Sequence, residues 1–195
     1  MTRLREVAGD RVAVDLDGAR WRTLPAGVVV RAGLRDGLEL DRERLRLLAR
    51  EVRRAAAVEA AARLLRSRDR SRAELREQLR RRGLAAGPIE AALERLGDAG
   101  LVRDEEVARR RAAELAARGQ GDAAIVDDLT RRGLDRDVVA EAVAELEPEA
   151  KRAHRLVAAR GRSMATARLL ARKGFEDDSV EAALAGLVAN GSLDG

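Results

Sequence analysis

The chain has 195 residues, with 39 Lys and Arg against 34 Asp and Glu for a net charge of +5, and it holds one Trp, one Phe and no Tyr. It has no cysteine, which excludes disulfides and thiolate metal sites. Aromatics make up only 1% of it, so a core has to be assembled from Ala, Leu and Val, which suits thin helical units better than one thick globule.

Residues 1–38 differ from the rest. The runs 12–16 and 19–24 flank Asp17-Gly18, and Asp-Gly between such runs signals a hairpin. Val28-Val29-Val30 reads as a third strand. Three strands are near the minimum for a stable sheet, so this element is expected to lean on the first helix, with Trp21 filling the contact and a binding role for Trp21 as the lesser alternative.

From Asp41 the pattern is helical. Asp41 reads as an N-cap, and apolar residues recur at Leu45, Leu48, Val52, Ala56, Ala61, Leu64 and Leu65, as one long helix or two joined near Arg54. Ser71-Arg-Ala-Glu74 has the spacing of a capping box, in which hydroxyl and carboxylate each satisfy an orphan N–H. The helix it opens runs to Arg82 and stops at Gly83, and Pro88 stands in the first turn of the next. Ile89, Ala92, Leu93 and Leu96 then give that helix one apolar stripe.

Residues 75–84 recur twice more. Leu75, Leu79 and Gly83 correspond to Ile125, Leu129 and Gly133, then to Thr166, Leu170 and Gly174. The same offsets carry the stripe to Val139, Ala142, Val143 and Leu146, then to Val180, Ala183, Leu184 and Leu187. They also carry Ala62 and Leu65 to Ala112 and Leu115, then to Ala153 and Leu156. The expected fold is mainly α: three tandem three-helix repeats forming an elongated curved array, preceded by a small N-terminal β-hairpin or three-strand element. The expected divisions are 1–38 for the β element, 41–98 for the first repeat with its leading helix, 99–147 for the second and 149–191 for the third.

No catalytic constellation is present, and the chain is not expected to be an enzyme or to hold a cofactor or metal. His154 is the only histidine and reads as a surface or packing residue. Gly119-Gln-Gly121 follows a helix rather than a strand and so fails as a dinucleotide loop, while Asp122 reads as an N-cap. Asp127-Asp128 and Asp177-Asp178 read as lying near helix starts, where carboxylates suit the dipole. The basic clusters are Arg80-Arg81-Arg82, Arg131-Arg132 and Arg172-Lys173. Cations in a last helical turn gain about 0.3–1 kcal/mol from the dipole. Repeated on stacked units, they would also draw a basic track able to meet acidic protein surface or phosphates. Aromatics are too few for single-strand binding built on stacking. A helix-turn-helix reader of duplex DNA is the alternative, although the arginines sit at the C-terminal ends of the second helices and base readers present the N-terminal part. No run reaches membrane-spanning length and the start lacks a continuous apolar region, so a cytoplasmic protein is expected, as a monomer with no membrane partner.

Gly100-Leu101-Val-Arg-Asp104-Glu105-Glu-Val-Ala108, followed by Arg118-Gly119, resembles the join between repeats of the RecX regulatory proteins. So does the run from Arg66 through Ser71, Glu74, Leu75 and Leu79 to Gly83, and Leu170-Ala-Arg172-Lys-Gly174-Phe175 resembles the closing motif of that family. The match covers residues 57 to about 190 in order. Val107, Arg110 and Arg111 stand where family members carry aromatics. The resemblance implies a non-enzymatic modulator that lies in the groove of the RecA filament on DNA and restrains its recombinase, ATPase and coprotease activities. On that reading Arg80, Arg81, Arg82, Arg131, Arg132, Arg172 and Lys173 face the filament and meet acidic side chains or DNA phosphates.

Overall fold

The computed structural model describes residues 1–185, which form a three-stranded sheet and ten helices. Leu187 of the third apolar stripe, and the expected close of the third repeat at 191, lie outside the described residues. The chain divides into two compact units. One comprises Met1–Arg68 and Leu75–Leu101, the other Asp69–Glu74 and the described residues from Val102 onward.

In the first unit, β1 (Thr2–Val7), β2 (Arg11–Leu16) and β3 (Ala19–Pro25) form an antiparallel sheet in that order. Asp17 and Gly18 both take positive φ (50° and 83°), the backbone a two-residue hairpin needs to match strand twist. The third strand is β1, not residues 28–30, which belong to α1 (Ala26–Arg31). Pro25 ends β3 and caps this helix, and its consecutive Val28 and Val29 are buried while Val30 is 76% exposed. That is a helical burial pattern, and burial overrides the strand propensity of a valine run. Arg3 and Arg5, alternating with Thr2 and Leu4, had masked β1 as a strand with one polar face.

The core under the sheet contains Val14, Leu24, Val28, Val29, Leu34 and Leu48, with Leu4, Val12 and Val52 packed against it. Trp21 is not part of it and is 42% exposed. Strand alternation explains the difference, because Leu24 faces the core and Thr23 and Trp21 therefore face away. α2 (Arg42–Leu65) is one unbroken helix, with the Asp41 carboxylate accepting from the Arg44 amide at 2.8 Å. Its first half gives Leu48 to the sheet core, and its second half buries Ala57, Ala60, Ala61 and Leu64. α3 (Arg72–Arg81) buries Leu75 and Leu79, and α4 (Ala86–Asp98) buries the expected stripe of Ile89, Ala92, Leu93 and Leu96. Arg76 ties α3 to α4 through Glu90 at 2.6 and 2.8 Å.

In the second unit, α5 (Asp104–Ala117), α6 (Asp122–Arg131) and α7 (Arg136–Ala144) enclose Ala108, Ala112, Leu115, Ile125, Leu129 and Val139. α8 (Glu149–Arg160), α9 (Met164–Arg172) and α10 (Asp177–Ala185) enclose Ala153, Val157, Leu170, Phe175 and Ala183. Three second helices end in the same turn. Gly83, Gly133 and Gly174 have φ of 78°, 72° and 78°, and the next amide reaches back to Leu79, Leu129 and Leu170 at 3.3, 3.4 and 3.1 Å.

Candidate partner-binding surface

Each second helix ends in cations, and at least one end of each is built into a joint. Two joints of the same design occur in the second unit. In one, the Ser71 hydroxyl donates to the Arg132 carbonyl at 2.6 Å while accepting from the Glu74 amide at 3.0 Å. The Glu74 carboxylate returns to the Ser71 amide at 3.2 Å, completing the expected capping box, and also accepts from Arg132 at 3.0 Å. In the other joint, the Gly121 and Ala123 amides donate to the Lys173 and Gly174 carbonyls at 2.8 and 3.1 Å. Both bring the C-terminal end of one helix, with its free carbonyls, to the N-terminal end of another, with its free amides.

A carboxylate locks each joint. Asp104, the first residue of α5, accepts from the Arg72 amide at 2.7 Å. Glu149, the first residue of α8, accepts from the Asp122 amide at 2.6 Å and the Glu176 amide at 3.1 Å. Burial pushes the Asp104 carboxyl above its ordinary pKa against the opposing Arg72 amide, and burial likewise raises Asp122 against the nearby Arg152. Arg152, 4% exposed, ties the second joint through the Glu147 and Gln120 carbonyls at 3.0 and 2.8 Å and pairs with Asp122. Asp122 is not the N-cap. Gly121 is, with extended backbone just before α6, and a Cβ there would lie 2.2 Å from the Gly174 carbonyl.

The seven cations singled out from the sequence separate into two groups. Arg132 is turned inward, 23% exposed, and shares Asp128 with Arg111. Arg111 meets Asp128 with two bonds of 2.9 and 3.0 Å, and Arg132 with one of 2.8 Å. The Arg111 and then the Arg132 guanidinium hold the Asp128 carboxyl far below the usual range, although burial opposes them. Asp127 and Asp128 thus sit in the body of α6, one turn before Arg131 and Arg132, rather than at its start. Lys173 donates to the Arg118 carbonyl at 3.2 Å.

The others face outward. Arg80 and Arg81 share Glu77 at 2.9 and 2.7 Å, and these two guanidiniums hold its carboxyl down to about 2. Arg131 pairs with Asp127 at 2.8 Å on an exposed surface. Arg82 and Arg172 are exposed and make no side-chain hydrogen bond or ion pair among the described residues. His154 is half-buried on α8. The joint residues Arg111, Asp128, Asp104, Glu149 and Arg152 were not singled out from the sequence as interacting. Only the i, i+4 spacing of Asp128 and Arg132 was a local signal.

Known proteins match this chain in sequence and in fold. A family model for the first three-helix domain of RecX matches residues 57–96. The regulatory protein RecX of Halorhodospira halophila is 34% identical over 137 residues, covering 65% of this chain and 85% of the relative. The chain belongs to the RecX family. RecX of Thermobifida fusca is 37% identical over 126 residues, covering 58% of this chain and 68% of the relative. RecX of Mycolicibacterium smegmatis is 40% identical over 92 residues, covering 46% of this chain, and the match spans about half (48%) of the relative's length. A crystal structure of regulatory protein RecX matches the fold with a TM-score of 0.79 at 19% identity, covering 93% of this chain and 98% of that one. The RecX structure from Lactobacillus salivarius matches with a TM-score of 0.63 at 18% identity, covering 70% of this chain and 97% of that one. These RecX relatives are named regulatory proteins. Among the described residues, no helix is long and apolar enough to cross a membrane.

Proposed function

We propose that this chain is a non-enzymatic cytoplasmic regulator that binds the groove of the RecA–DNA filament and restrains its recombinase, ATPase and coprotease activities. Family membership supports the partner. The observation that carries the surface is the basic end of each second helix, displayed at equivalent points of three three-helix sets. These sets are read as modules 41–98, 99–147 and 149–191, each offering cations to acidic side chains or DNA phosphates on neighbouring filament subunits. Arg80, Arg81, Arg82, Arg131 and Arg172 make the contact, and Arg132 and Lys173 support it by holding the joints.

The duplex-reading alternative is disfavoured by the same joints. A recognition helix presents its N-terminal residues to base edges. Here the N-terminal amides or cap of α3 are engaged with Arg132 and Asp104, and those of α6 with Lys173, Gly174 and Glu149. The test is the single-stranded-DNA-dependent ATPase of RecA from the same organism, titrated with this chain well below one per protomer. Inhibition is expected, and reversing Arg80, Arg81, Arg82, Arg131 and Arg172 to Glu should weaken it at least tenfold with helicity unchanged. An unaffected ATPase with filaments present refutes the partner, and undiminished inhibition by the reversed variant refutes the surface.

A further inference from the structure

We infer that the outer face of the N-terminal sheet binds single-stranded nucleic acid, with Trp21 stacking on one base and Arg3, Arg11 and Arg20 meeting phosphates. The inference stands on the sheet itself and does not need the filament reading.

The geometry follows from the strand register. Val12, Val14 and Leu24 belong to the core side, so the odd positions of β1 and β2 face away from it. Arg3 pairs across β1 and β2 with Asp15, and Asp15 pairs with Arg20 on β3. A register shift at Val14/Asp15 places Trp21 as the extra residue between Arg20 and Arg22. Bulges of this kind re-aim side chains, and this one brings Arg20 to the same side as Trp21.

The result is a large exposed ring with cations around it. Arg22 lies 5.8 Å from the Trp21 ring centroid. The Arg20 and Arg11 guanidiniums are propped by Thr23, through its hydroxyl at 3.2 Å and its carbonyl at 3.1 Å. Two acids on or beside the face are already engaged. Asp15, 9% exposed, is held by Arg5 at 3.0 Å, and Asp17 pairs with the chain's own amino terminus. Backbones of neighbouring strands lie about 4.8 Å apart, so Arg3 and Arg20 flank the centre of the face at roughly 10 Å.

Charge complementarity requires a polyanion, and the exposed ring selects among polyanions. A flat indole with an arginine over it offers a base a stacking partner at a site where phosphates have cations to meet. An acidic polypeptide would use the arginines and leave the ring without a matching group. No other side chain on this face is aromatic, so the site takes one base per chain and the arginines hold the rest of the strand, which is consistent with a sequence too poor in aromatics for a row of stacked bases.

The chain has a single Trp and no Tyr, so its intrinsic emission reports on this ring alone. The experiment titrates the full chain with oligothymidylate at low salt, without RecA, following Trp emission and the anisotropy of a labelled oligonucleotide. Emission is expected to quench on binding, and affinity is expected to fall with salt, by a slope near −0.7 for each phosphate neutralised by an arginine. Trp21→Ala should weaken binding roughly 5- to 150-fold by anisotropy, the equivalent of about 1–3 kcal/mol of stacking, and Trp21→Phe should recover most of it. Replacing Arg3, Arg11 and Arg20 with Gln should flatten the salt dependence. Trp21 is exposed, and an unchanged melting temperature would confirm that these variants fold.

Binding by anisotropy without quenching, or with Trp21→Ala binding as tightly as wild type, overturns the site. Equal quenching by polyglutamate with the same salt dependence overturns the ligand class in favour of an acidic polypeptide. Each readout is independent of RecA, so a failure here leaves the filament reading standing, and the reverse also holds.

Discussion

Asp128→Asn tests whether the joint network holds the second unit together. Asp128 accepts three charged hydrogen bonds, two from Arg111 and one from Arg132, and these three side chains are about one-fifth exposed (19% and 23%). A hydrogen bond to a charged group contributes about 1.5–3 kcal/mol when well sheltered. Asparagine keeps one acceptor oxygen, Glu114 and Glu74 still lie beside the two arginines, and solvent screens the remainder. The expected loss is therefore about 2 kcal/mol rather than the sum of three such bonds. With a urea dependence of about 1–3 kcal/mol per molar, the transition of the second unit should move down by roughly 1 M.

The matched control is Asp127→Asn. It removes the exposed pair with Arg131 and should cost less than about 0.5 kcal/mol. The pH dependence has a definite sign. Asp128 is held far below its ordinary range when folded, so its contribution is complete above the unfolded pKa of about 3.9. It disappears only as pH falls through the native value. Wild type and variant should therefore differ equally at pH 7 and pH 5 and converge only in stronger acid. Urea melts followed by circular dichroism decide the matter. A loss no larger than that of Asp127→Asn, or a difference that halves between pH 7 and pH 5, refutes the network as a stabilising element.

Ser71→Ala removes a hydroxyl that caps the Glu74 amide and satisfies the Arg132 carbonyl, and Ser71 is fully buried. A cost of about 1–3 kcal/mol in a urea melt is expected, and a neutral result would refute the joint. Gly121→Ala places a Cβ 2.2 Å from the Gly174 carbonyl and should destabilise by more than about 3 kcal/mol. Gly83→Ala has the same φ of 78° as Gly174 but open space around its Cβ, so it should cost only about 1–2 kcal/mol of backbone strain. Equal effects at Gly121 and Gly83 would show that the close approach at Gly121 is not rigid.

The helices, their ends and their repetition were legible in the sequence because those signals act over a few residues. The stripe Ile89, Ala92, Leu93 and Leu96 is one helix face, Asp41 caps the amide of Arg44, and Ser71 and Glu74 satisfy each other across one turn. The Asp17-Gly18 hairpin is local in the same way. Tertiary structure decided what these elements do with their surfaces. Val28 and Val29 turn helical because that packing buries both of them against the sheet core, and Trp21 stays outside because Leu24 and Val14 already fill the side facing the helices. Among the basic residues, Arg131 and Arg132 are neighbours in sequence with the same chemistry. One is on the surface, and the other reaches Glu74 across 58 residues and takes part in a joint where Ser71 meets its carbonyl across 61. Contacts at that separation depend on how helices meet. No local periodicity encodes them, so the sequence located the basic helix ends and the fold divided them between surface and joint.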